Sequence, residues 1–92
     1  MTLDSEKKRK LITRINRMRG QLKGLERALL EGRACEDIFQ LTTALKGSAN
    51  ALMAVILKEH IEEHLLNAST KAQREKEVAE LLSILKSYFK QN

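Results

Sequence analysis

Residues 11–30 read LITRINRMRGQLKGLERALL. Leu11, Ile15, Met18, Leu22, Leu25 and Leu29 recur at alternating spacings of four and three, the heptad seam of a helix that packs along one narrow stripe. Gly32 follows the last seam residue and predicts the helix stop, since glycine takes the left-handed turn that ends a helix. Beyond "EGRACED", a second helical segment over about residues 36–66 carries two apolar faces. Ile38, Leu41, Leu45, Leu52 and Ile56 form one; Phe39, Met53, Leu57 and Ile61 form another, rotated by roughly a quarter turn. One neighbouring helix cannot cover both, so the second face is expected to meet another subunit. After "NASTKAQ", a turn and helix start, Val78, Leu81, Leu82, Leu85 and Phe89 predict a short third helix.

The expected fold is therefore all-α, a three-helix protomer in one domain spanning residues 1–92. Composition agrees: the 92 residues include no Pro and no Trp, and 42% are hydrophobic. A chain this short buries a marginal core unless it oligomerises. No apolar run approaches the ~20 residues that cross a bilayer, and the polar N-terminus lacks a signal peptide's apolar segment, so the protein is expected in the cytoplasm and not in a membrane.

Charge is distributed unevenly. Residues 1–33 hold ten Lys/Arg against four Asp/Glu, whereas residues 34–92 hold seven against eight. Lys10, Arg14, Arg17 and Gln21 follow one flank of the apolar seam, with Arg9, Lys23 and Arg27 on the far side. Phosphate contacts need only cations and amide donors on a rigid surface, and an oligomer multiplies the charge. The basic helix thus predicts a nucleic-acid partner. The competing reading is a merely solvated face, in an oligomer that stores or carries metal without touching DNA.

The chemistry-bearing side chains are few: one cysteine, Cys35, and two histidines, His60 and His64. At ~100° per residue the histidines project from one side of the second helix, and Cys35 shares nearly their azimuth. Yet a continuous helix separates Cys35 from His60 by ~37 Å at 1.5 Å per residue. They cannot meet within one chain. Antiparallel pairing of two second helices, crossing near "KGSANA" (46–51), would set Cys35 of one subunit beside His60 and His64 of the other. Thiolate with two imidazoles suits Ni, Co, Zn or Cu; the bland alternative is two surface histidines and a small apolar cysteine. A lone cysteine excludes an internal disulfide.

The segment "RINRMRGQLKGLERALLEGRACEDIFQLTTALKGSANALM" followed by "HIEEH" resembles the CsoR/RcnR/FrmR family of bacterial transcriptional repressors over nearly the whole chain. The resemblance implies an antiparallel dimer assembling into a disc-like tetramer, with no catalytic turnover. It further implies a ligand-free form that binds operator DNA and an inducer-bound form that releases it. Lys46 joins the DNA-binding candidates because the family often has a basic residue there. Copper(I) sensors carry a second cysteine where this chain has His64, and persulfide sensors also need two. Cys35, His60 and His64 instead match the nickel/cobalt sensors, so Ni or Co is the expected inducer, with Zn possible. Those sensors add a histidine near the N-terminus, where this chain has Leu3, which leaves the set one donor short unless the N-terminal amine, Asp4 or solvent substitutes. The formaldehyde-sensing branch bridges the same cysteine to an N-terminal proline amine. Here Thr2 would offer a primary amine instead, so Thr2 and Cys35 form the alternative inducer site.

Overall fold

The computed structural model describes residues 3–91 and, of Phe89, Lys90 and Gln91, the backbone alone. Three α-helices follow in order: α1 Ser5–Leu30, α2 Cys35–His60 and α3 Lys71–Gln91, with a π-helical turn, Ile61–Leu65, directly after α2. Among the described residues there is no strand, and no helix is long and apolar enough to cross a membrane. The expectation of an all-α, three-helix chain holds. Two compact units, Leu3–Val55 and the chain from Ile56 onward, are described in turn.

In the first unit, local chemistry marks both ends of α1. The Lys7 N–H donates to Asp4 Oδ1 at 2.8 Å, an N-cap that satisfies one of the helix's free donors. At the other end Gly32 adopts φ +67°, while its N–H bonds the Leu29 carbonyl (3.2 Å) and the Arg33 N–H bonds that of Ala28 (3.0 Å). This pair of bonds is the Schellman closure, and only a residue without Cβ takes that φ cheaply. The chain then reverses into α2, where the Asp37 and Ile38 N–H groups both bond the Ala34 carbonyl, at 3.0 and 3.2 Å.

Packing in this unit is sparser than the seam suggests. Leu11 and Ala28 are its buried apolar residues, Ala28 at 1% exposure, whereas the seam residues Ile15, Leu22 and Leu29 remain exposed. Ala28, in the last turn of α1, lies off the heptad pattern. On α2, Ile38, Leu41, Leu45 and Leu52 are half-buried, while Phe39 (71%) and Met53 stay exposed. The two expected faces are not cleanly divided: Ile56 of the first is exposed, whereas Leu57 and Ile61 of the second are half-buried.

The second unit departs further from the simple periodic reading. The helical segment expected to run to residue 66 changes pitch after His60: the Leu66 N–H reaches back five residues to the Ile61 carbonyl at 3.1 Å. Asn67 stabilises this widened turn by donating its side-chain amide to the Glu62 carbonyl (2.9 Å). Helix α3 is 21 residues long and begins at Lys71, well before the apolar positions that predicted a short helix. Its start is capped reciprocally. Thr70 Oγ1 accepts from the Gln73 N–H at 3.1 Å, and Gln73 Oε1 accepts from the Ser69 N–H at 3.4 Å, a variant of the capping box. The buried line of α3 runs through Glu77, Leu81, Leu85 and Tyr88, all half-buried, while Val78 and Leu82 (60%) are exposed.

Candidate metal centre and cationic groove

His60 is the last residue of α2 and His64 lies in the π turn. Their ring centroids are 4.8 Å apart with planes tilted by 40°. Both rings face a carboxylate contributed by α3. His60 Nε2 lies 4.0 Å from Glu77 Oε2, and His64 Nδ1 lies 3.9 Å from Glu77 Oε1. The side chains of His60, His64 and Glu77 are only 17%, 31% and 12% exposed. His60 Nε2 and Glu77 Oε2 are shut off from solvent and have no hydrogen-bond partner. One turn along α3, the exposed Glu80 completes a cluster in which ligand atoms of His60, Glu77 and Glu80 lie within 4.8 Å of one another.

Unpartnered buried polar atoms are costly, because each has given up water for nothing. Two distances of 3.9–4.0 Å are too long for hydrogen bonds. They lie just inside the ~4.2 Å that two metal–donor bonds of ~2.1 Å span at most, so the side chains would draw closer to hold an ion. Imidazole nitrogen and carboxylate oxygen are the donors that Zn, Ni and Co accept. The residues present fit a divalent transition metal.

Cys35 opens α2, exposed and with a free thiol, at the opposite end of that helix from His60. The structure brings the two histidines together with Glu77 and places the cysteine apart from them in the chain. Thr2 and its amine lie outside the described residues.

Of the candidates for nucleic-acid contact, Lys10, Arg17 and Lys46 are exposed and Arg14 is half-buried. Arg14 and Arg17 line a groove of about 290 Å³ between α1 and α2, closed on the α2 side by Ala44, Gly47, Ser48 and Ala51. These small residues leave the groove open beside both arginines. Arg9, by contrast, is engaged by Glu6 at 2.7 Å. Gln21 is half-buried with its Oε1 shut off from solvent and unpartnered, so its carbonyl end is turned away from any ligand arriving through water.

The sequence profile of a metal-sensitive transcriptional repressor matches residues 7–87. The chain belongs to that family. Members of the family are repressors and not enzymes. The transcriptional repressor RcnR of Salmonella paratyphi B is 35% identical over 83 residues, covering 90% of this chain and 92% of that one. A variant of the formaldehyde-responsive regulator FrmR from Salmonella enterica serovar Typhimurium superposes with a TM-score of 0.82 at 36% identity, covering 95% and 99% of the two chains. The nickel-responsive transcriptional regulator InrS gives 0.79 at 26% identity, covering 96% and 97%.

Sequence reasoning missed Glu77. The signal was present in its spacing: Glu77, Leu81 and Leu85 stand four apart, which puts a carboxylate on the same helical line as two core leucines. A charge on an apolar line is the feature to notice, because ionised carboxylates are seldom buried without a partner.

Proposed function

We propose that this chain is a cytoplasmic, ligand-responsive repressor in which one domain, residues 1–92, both binds DNA and senses the inducer. It forms an antiparallel dimer and then a disc-like tetramer. Without inducer, Lys10, Arg14, Arg17 and Lys46 engage operator DNA, with Gln21 contributing through its side-chain NH2 and not its shielded carbonyl oxygen. With Ni or Co, or less favourably Zn, held by Cys35 of one subunit and His60 and His64 of another, the operator is released. The observation that carries this reading is the convergence of both imidazoles on one buried spot at the end of α2 with His60 Nε2 left unpartnered. A formaldehyde sensor would not need His64.

The switch requires little energy. Coupling of ~1–3 kcal/mol between inducer and operator changes DNA affinity by roughly 5–150-fold, and the same factor weakens inducer binding on DNA. The cations of α1 supply affinity through counterion release, and binding of a ligand that favours the DNA-free arrangement shifts the population.

A second reading is a formaldehyde-responsive repressor, in which the Cys35 thiolate and the Thr2 amine are bridged by a methylene. The likeness to a formaldehyde-responsive regulator and the exposed Cys35 thiol favour it; a proline amine is lacking. Mobility shift with the DNA upstream of the protein's own gene, titrated with Ni, Co, Zn and formaldehyde, separates the readings. Release by Ni or Co is expected. Release by formaldehyde under conditions where saturating Ni and Co leave the complex intact would promote the second reading. A protein that binds metal and ignores DNA would be a store or carrier.

A further inference from the structure

Glu77 has an environment that the pairing of its neighbours does not satisfy. Its two carboxylate oxygens face two different imidazoles, Oε1 toward His64 Nδ1 and Oε2 toward His60 Nε2, at 3.9 and 4.0 Å. Neither distance is a hydrogen bond. The carboxylate is 12% exposed, sits on the buried line of α3, and meets no Lys or Arg among the ion pairs of the described residues. Its Oε2 and the facing His60 Nε2 are both shut off from solvent and without a hydrogen-bond partner. A cation held between His60 and Glu77, where Glu80 also reaches, would satisfy both unpartnered atoms.

We infer that Glu77 is a ligand of the inducer metal: its carboxylate shares with His60 and Glu80 a cluster of ligand atoms within 4.8 Å of one another, His64 faces its other oxygen, and the Cys35 thiolate of a second copy is added to this half-site. The inference rests on the metal-sensing reading and deepens it. The resulting set of two nitrogens, one oxygen and one sulfur is borderline in softness and suits Co(II), Ni(II) and Zn(II) better than Cu(I). A donor on α3 also makes metal occupancy depend on the fit of α3 against the π turn, two elements in direct contact.

The test is Co(II) titration of the full-length protein, read by absorption and by competition with a chelator of known affinity. The near-ultraviolet thiolate-to-cobalt band reports Cys35, and the visible ligand-field bands report the remaining donors. Glu77→Gln keeps the shape of the side chain and removes the charged donor. It is expected to lower Co(II) affinity at least tenfold and to change the ligand-field bands, with the thiolate band and the metal-free DNA affinity retained. Glu77→Asp, a shorter carboxylate, should recover part of the affinity, which Gln cannot do. Glu75→Gln, an exposed charge on the same helix paired with Lys71, should behave as wild type and so exclude a general charge effect. If Glu77→Gln binds Co(II) with wild-type affinity and spectrum while His60→Ala does not, the metal site stands and Glu77 is merely an ion-pair partner of the histidines, which overturns the inference. A wild type that binds neither Co(II) nor Ni(II) overturns the metal-sensing reading itself.

Discussion

The two units of this chain handle their polar groups in opposite ways. From Leu3 to Val55 the charged side chains stand in water: Lys10, Arg17 and Lys46 are exposed, Arg14 is half-buried beside an open groove, and the capping bonds of α1 are satisfied locally. From Ile56 onward two histidines and a glutamate are drawn together out of solvent with donor atoms left over. Exposed cations are suited to a large polyanion whose own counterions they displace, since neither partner must be dehydrated in advance. Buried, unpartnered donors are suited to one small cation that repays their desolvation by direct bonds. On the function proposed above, the first unit would meet an extended ligand and the second a compact one.

If the division of labour is real, damage to each region should appear in its own readout. The largest expected effect is that of His60→Ala/His64→Ala, which removes two imidazole donors: Ni or Co affinity should fall at least a hundredfold, about 2.7 kcal/mol, with metal-free DNA binding intact. Mixing this variant with Cys35→Ala subunits should partly restore tight metal binding, because one site of the mixed dimer then carries all its ligands. No recovery on mixing or co-expression would break the intersubunit geometry.

A smaller effect is expected from Arg14→Ala/Arg17→Ala. Each lost phosphate contact takes ~0.9 from the slope of log K against log salt, so the pair should flatten the slope by about 1.8 and leave metal affinity unchanged. An unaltered slope would place the DNA surface elsewhere. The smallest effect concerns the turn that joins α1 to α2. Gly32→Ala forces a Cβ into φ +67° and should cost about 1–2 kcal/mol in denaturant unfolding. Because Gly32 touches neither region's chemistry, metal affinity measured on the folded fraction should not move; a loss there would blur the comparison.

Much of the architecture was legible in advance because it is written locally. The seam of α1, the stop at Gly32, the turn before α3 and the azimuthal match of His60 with His64 each follow from residues a few positions apart. Burial was read less well, because a periodic pattern reports which residues are apolar and not what covers them. Leu22, Leu29, Val78 and Leu82 sit on predicted stripes yet are exposed, whereas Ala28 and Glu77, on no predicted list, are among the more enclosed side chains. Gln21, chosen with the cations for its position on the same flank, has its carbonyl oxygen turned away from water.

What the sequence determined by itself is the inventory: three helices, a basic first helix, one thiol and two imidazoles at a spacing of four. These depend on helical pitch, capping chemistry and charge, which act over a turn or two. What only the tertiary structure decided is the company His60 and His64 keep. The π turn at Ile61–Leu65 alters the pitch between them, and the return of α3 brings in Glu77, 17 residues after His60 in the sequence, so that its carboxylate faces both rings. No local rule reaches that far, because the contact arises from the packing of α3 on the turn and not from the preference of any residue in either.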